Sequence, residues 1–226
     1  MTPQRLTRAL VAETLGTALL LAVVVGSGIM GTKLSGSNDA LALLANTLST
    51  GAALVVLITL FGPLSGAHFN PAVTLVMALR KDLPPIAAAL YIPCQIVGAA
   101  AGVWLAHAMF GQELLQVSTK LRDGPAQALS EAVATFGLLA TILGVSRFQP
   151  SFTPAAVGLY IGSAYWFTAS TSFANPAATL ARSLTDSFAG IAPPSVPAFI
   201  AAQLVGALLA LAVFGWLLSG DLAHER

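Results

Sequence analysis

The sequence predicts an all-α membrane protein: six spanning helices and two shorter half-helices, arranged as an inverted repeat. Three observations predict it. Only 8% of the 226 residues are charged, 56% are hydrophobic and mean hydropathy is +0.82, whereas a soluble domain carries roughly three times that charged fraction. Six apolar runs approach or reach the ~20 residues that a bilayer crossing needs. The tripeptide Asn-Pro-Ala occurs twice, at 70–72 and 175–177, each time opening an apolar run too short to cross.

Composition also excludes. A net charge of +1 offers no basic stripe to neutralise phosphates, so nucleic acid is not a partner. The single Cys94 rules out an internal disulfide or a cysteine metal cluster, and in its apolar run it reads as a small packing residue. There is no Ser/His/Asp set, metal-ligand cluster or phosphate loop to suggest an enzyme; no metal and no cofactor are expected. The first hydrophobic run, about Leu10 to Met30, is too long for a signal-peptide core and lacks a cleavage site. It reads as the first span.

The spans fall at 8–30, 41–61, 84–109, 127–147, 154–171 and 196–218, divided by charged or Pro/Gly-bearing breaks such as Arg80-Lys81-Asp82 and Ala192-Pro-Pro-Ser195. The half-length stretches are 71–80 and 176–187. Glu13 opens ETLGTALLLAVVVG and Glu131 opens EAVATFGLLATILG; QIVGA at 95–99 returns as QLVGA at 203–207. The chain 1–226 thus reads as a single transmembrane domain of two repeats, approximately 8–110 and 127–218. Three spans per half is an odd number, so the second copy lies upside down relative to the first, with the site near the midplane. Gly98-xxx-Gly102 and Gly206-xxx-Ala210 suit close helix packing.

Basic residues set the orientation. With the N-terminus inside, Arg5, Arg8, Arg80, Lys81, Arg147 and Arg226 are cytoplasmic, while Lys33, Lys120, Arg122 and Arg182 are outside. The excess favours both termini in the cytoplasm.

Asn-Pro-Ala is a helix-start signal: Asn is a preferred N-cap, and Pro suits the first helical position because its missing N–H would be unsatisfied there anyway. If the Asn70 and Asn175 side-chain oxygens cap their own helices, their amide NH2 groups are free to donate outward. Each helix N-terminus also carries roughly half a positive charge. Two half-helices from inverted halves meet N-terminus to N-terminus, attracting neutral hydrogen-bonding solutes and repelling cations. Non-helical backbone at this depth must be packed in protein or line an aqueous cavity. Capping of two buried helices, with no pore, is the plainer reading, and the matched placement of the two copies disfavours it.

With SGAHFNPAVTL at 65–75, the doubled NPA (Asn70, Pro71, Ala72; Asn175, Pro176, Ala177) and six spans, the chain resembles the aquaporin (major intrinsic protein) family over nearly its whole length. The resemblance implies an aquaporin-like bundle of six transmembrane helices plus two re-entrant NPA half-helices, in a homotetramer with one pore per subunit. It also favours Glu13 and Glu131 as anchors accepting backbone N–H bonds from the re-entrant loops, over a proton relay. His68, just before the first NPA, reads as loop packing, with pH gating as the alternative.

The family's constriction is built from four positions, which by spacing are Thr50, Ser163, Ser172 and Ala178; a slip of one residue would replace Ser163 by Ala164. All are small, and the Arg that nearly all members carry at the last is missing. Arg182, one turn beyond Ala178 on the same face, either lines the outer vestibule or pairs with Asp186. The run NPAATLARSLTDSFAGIAP at 175–193 resembles a bacterial branch associated with arsenic-resistance genes. The expected activity is a passive channel in the bacterial inner membrane for small uncharged solutes: water, glycerol-like polyols, neutral arsenite or methylated arsenicals. A proton-coupled secondary transporter using Glu13 or Glu131 is the alternative, and an occluded structural protein the third reading.

Overall fold

The computed structural model describes residues 2–219. Among these the chain is all helical. Arg226 and the chain's C-terminus, both assigned above to the cytoplasm, lie outside the described residues.

Eight α-helices run in order: α1 (Pro3–Leu34), α2 (Asp39–Ser65), α3 (Pro71–Leu79), α4 (Pro85–Met109), α5 (Pro125–Phe148), α6 (Thr153–Phe167), α7 (Pro176–Arg182) and α8 (Val196–Leu217). Proline at the first or second helical position opens seven of them, all but α2, where its fixed φ is pre-set for the helix and its missing N–H costs nothing. Asn38 caps α2 instead, accepting from the Leu41 N–H at 3.1 Å. The left-handed Gly66 ends α2, φ 90°, and turns the chain back into the bundle.

Five helices are long and apolar enough to cross a membrane: α1, α2, α4, α5 and α8 with its preceding turn. The sixth, α6, has only 15 residues, about 22 Å of helix, extended by a 3-10 turn at Pro150–Phe152. It stops at Phe167 rather than 171 because Thr168 turns extended and bonds back to the Ala164 carbonyl through its N–H and Oγ1. The second half-helix is also shorter than the 176–187 expected. The Arg182 carbonyl is taken by the Ile191 N–H and the Leu180 carbonyl by Ser183, so α7 ends at Arg182 and 183–192 is a loop.

Packing follows the repeat. Helix α1 lies along α4 and α2, and α5 lies along α8 and α6. A Cβ at Gly98 or Gly102 would run into the α1 carbonyls of Thr14 and Ala18, and one at Gly206 into the α5 carbonyl of Ala132. These glycines bring helix backbones into contact. The outer surface carries exposed Leu15, Leu19, Val97, Leu159, Trp166 and Trp216. Such an apolar exterior on long apolar helices belongs against lipid, and the protein is a membrane protein.

Candidate pore and filter

Asn70 and Asn175 sit at the N-caps of α3 and α7, both buried. Asn70 Oδ1 accepts from the Ala72 N–H at 2.9 Å; Asn175 Oδ1 accepts from Ala177 and Ala178 at 3.0 and 3.2 Å. Each amide also reaches across the midplane. Asn70 Nδ2 donates to the Ala174 carbonyl at 2.7 Å, and Asn175 Nδ2 donates to the Phe69 carbonyl at 2.8 Å. The amides are therefore not wholly free, as the sequence suggested: one N–H of each locks the two loops together. The second N–H of each has no partner among the described residues, and both Asn line the same cavity.

The loops ahead of the caps are built alike. Ala67 and Phe69 have φ of 50° and 49°; Ser172 and Ala174, at the same offsets from Asn175, have 49° and 48°. Left-handed backbone at a residue with a Cβ is costly and needs external support. It also turns successive N–H groups to one side as a concave nest that suits an anion. In each half that anion is a buried glutamate. Glu13 accepts from the N–H groups of His68 and Phe69 at 3.0 and 2.8 Å, and from Ser65 Oγ. Glu131 accepts from Phe173 and Ala174 at 2.8 and 2.9 Å.

Two glutamines complete the arrangement. Gln95 Nε2 donates to Glu13 at 2.7 Å and to Thr74 at 2.9 Å; Gln203 Nε2 donates to Glu131 at 2.6 Å and to Thr179 at 2.8 Å. Sequence reasoning noticed them only as the first letters of QIVGA and QLVGA. A fully buried amide repeated at the same place in both halves was the available signal.

A cavity of about 340 Å³ passes both Asn side chains. Most of its wall is apolar, including Leu20, Leu21, Val24, Leu54, Leu138 and Val157. Of the four filter positions, Thr50, Ser172 and Ala178 line it and Ser163 does not. Ser163 shares a helix face with Leu159 and Trp166, 67% and 50% exposed, and bonds the Tyr160 carbonyl. It points out of the bundle. Ala164, the one-residue slip, is buried but is not among the lining residues; α6 presents Ile161 and Tyr165 instead, a pair at i and i+4. Counting back from Asn175 failed because the loop between α6 and Asn175 is irregular and preserves no helical phase. Tyr165 donates to Thr50 Oγ1 at 3.3 Å, so the cavity wall beside Thr50 is aromatic rather than small.

Arg182 also lines the cavity. It is 3% exposed, its guanidinium carbon stacks 3.3 Å from the centroid of the Phe173 ring, and its Nε donates to the Ala189 carbonyl. Pairing with Asp186 is not formed. That carboxylate instead accepts from the Thr119 N–H and Oγ1 at 2.8 and 3.0 Å, which holds its pKa below the ordinary 3.8.

Arg122, in the loop between α4 and α5, sits over the same Phe173 ring at 5.1 Å and donates to the carbonyls of Gly190, Ser170 and Phe188. Burial pushes its pKa down to about 10. With Ser118 donating to Ser183 and Ala192 to Lys120, that loop is strapped over the C-terminal end of α7. At the other end His68 lines the cavity, contacts Thr74 Oγ1 at 3.1 Å through Nδ1 and packs edge-on against Tyr91.

A helical bundle with one cavity running past two capped, apposed half-helices defines a membrane channel. The chain belongs to the major intrinsic protein family, whose profile, described as Major intrinsic protein, matches residues 1–173. It is similar to Aquaglyceroporin AqpS of Rhizobium meliloti, 60% identical over 213 residues that cover 94% of this chain and 91% of that one. A Glycerol uptake facilitator protein of Streptococcus pneumoniae is 33% identical over 233 residues, covering 91% of this chain and 97% of that protein. The crystal structure of the aquaglyceroporin from Plasmodium falciparum shares the fold, with a TM-score of 0.74 at 20% identity over 95% of this chain and 97% of that one. The protein is a channel and not an enzyme.

Proposed function

We propose that this chain is a passive channel for water and uncharged solutes of glycerol size, with neutral arsenite or methylated arsenicals as further substrates. The observation that carries this reading is the cavity, which offers amide and hydroxyl donors along an apolar wall, with no carboxylate among its lining residues. Thr50, Ser172 and Ala178 are small, so the filter is wide on those sides. The positive ends of α3 and α7, with Arg182 at the outer mouth, disfavour cations. Similarity to an aquaglyceroporin and a glycerol uptake facilitator supports the polyol.

The chain works as one domain of two inverted repeats, in the bacterial inner membrane with its N-terminus in the cytoplasm, as a homotetramer with one pore per subunit. Proton coupling has no support from the geometry. Both glutamates face loop backbone and a glutamine rather than the cavity. Swelling of proteoliposomes in water, glycerol, urea and neutral arsenite gradients tests the proposal. Non-saturating glycerol and arsenite flux above that of protein-free vesicles is expected. Flux that saturates and follows a proton gradient would overturn it.

A further inference from the structure

The end of the cavity beside α7 holds a buried guanidinium, Arg182, that no carboxylate among the described residues touches; Glu131 is the carboxylate whose field reaches it, and Arg122 shares that field. Among the described residues the one Lys or Arg within 4.0 Å of a carboxylate is Arg80, paired with Asp82 at the opposite face. Arg122 is buried but well supplied, with three carbonyl oxygens on its guanidinium. Arg182 is not: its Nε is bonded to the Ala189 carbonyl, while Nη1 and Nη2 have no hydrogen-bond partner among the described residues. Asp186, the carboxylate one turn further on, is occupied by Thr119.

A second polar group on the same cavity wall has no hydrogen-bond partner among the described residues. Ser172, whose Oγ it is, is 3% exposed. It directly precedes Phe173, the ring on which Arg182 stacks. A buried cation facing a cavity with no carboxylate in contact, and sharing one distant carboxylate with a second guanidinium, is costly. A neutral solute can offer these donors an oxygen but no charge. An oxyanion offers both, and the planar guanidinium fork matches two oxygens of a carboxylate.

We propose that the outer end of the pore is a binding site for a small monovalent oxyanion of carboxylate type. The Arg182 fork and the Ser172 hydroxyl hold it, and there it competes with neutral solutes entering the channel. The anion is a blocker and not cargo. Below the filter the wall turns to Leu20, Leu21, Val24 and Leu54, which cannot replace an anion's hydration. This inference rests on the channel reading above and adds a ligand to its outer site.

The test uses the full-length channel in proteoliposomes at neutral pH. Glycerol-driven swelling is followed while sodium formate replaces the salt of a bulky sulfonate at equal osmolarity and ionic strength. Formate slows glycerol flux in the parent, saturably. Arg182→Gln raises the half-blocking concentration by roughly tenfold or more, as loss of a charged hydrogen bond implies. Arg182→Lys, which keeps the charge without the fork, falls between the two. Ser172→Ala shifts it less. Arg147→Gln, at the opposite mouth, leaves formate block as in the parent.

If the parent's glycerol flux ignores formate, or Arg182→Gln and Arg182→Lys are blocked as readily as the parent, the site does not exist. If the parent passes no glycerol even without formate, it is the channel reading that fails. The site is then judged on the purified protein, where formate should raise the melting temperature of the parent and not of Arg182→Gln. No such rise overturns the site as well.

Discussion

Glu131 is the side chain whose removal should most cleanly separate an anchor from a proton carrier. It is fully buried, and its two oxygens take the N–H groups of Phe173 and Ala174 and the Gln203 amide. Glu131→Ala leaves both backbone donors unpaired beside left-handed Ala174. At about 1–3 kcal/mol for each buried donor left without a partner, the two together cost roughly 2–6 kcal/mol. Glu131→Gln keeps one acceptor oxygen and orphans one donor, so its cost should be about half. Thermal unfolding in detergent should therefore rank parent above Gln above Ala, and the Gln variant should retain glycerol flux that does not respond to a pH gradient. Equal melting temperatures for all three would refute the anchor. So would a stable Gln variant whose flux, pH-dependent in the parent, has vanished.

Three further outcomes are expected. Asn175→Asp places a carboxylate where the two half-helices meet, so ion-flux assays should show cation leak, or the protein should fail to assemble; a well-folded variant with unaltered glycerol flux and ion exclusion would contradict the role of Asn175. The bonds from Thr119 hold the Asp186 carboxyl below the ordinary 3.8; a depressed carboxyl pKa lends stability that is full above the unfolded value and lost as pH falls through the folded one. Protection of the Thr119 amide from hydrogen exchange, relative to its intrinsic rate at each pH, should thus fall progressively as pH drops below about 3.8 in the parent, and be lower and insensitive to this titration in Asp186→Asn. Ala178→Arg adds a second guanidinium one turn inward of Arg182; swelling assays should show glycerol and arsenite flux dropping steeply while part of the water flux survives, and unchanged flux of the larger solutes would mean that position 178 does not bound the constriction.

Much of the molecule was legible in the sequence because the repeat states it twice. Hydropathy located the spans, Asn-Pro located the half-helix starts, and the paired glutamates located the loop anchors. Ser163 was misplaced because spacing carries a residue's direction only through unbroken helix, and the chain between Phe167 and Pro176 is irregular. The cross-locking of the Asn amides was not legible at all, since each partner is a backbone carbonyl from the other half of the chain.

Arg182, by contrast, could have been placed in the pore from the repeat itself. Residues three and seven positions after each Asn lie on one helical face. In the first half those are Val73 and Met77, in the second Ala178 and Arg182, and all four line the cavity. Spacing alone leaves Arg182 between the vestibule and a pair with Asp186, one turn beyond Ala178. Helical side chains, however, lean toward the N-terminus, and in α7 that direction is inward along the pore. The two halves thus share a scaffold and differ at equivalent points. Where the α3 end of the cavity has Met77 and His68, the α7 end has Arg182 stacked on Phe173. The repeat fixes where a filter can stand. Its chemistry comes from the positions at which the repeat is broken.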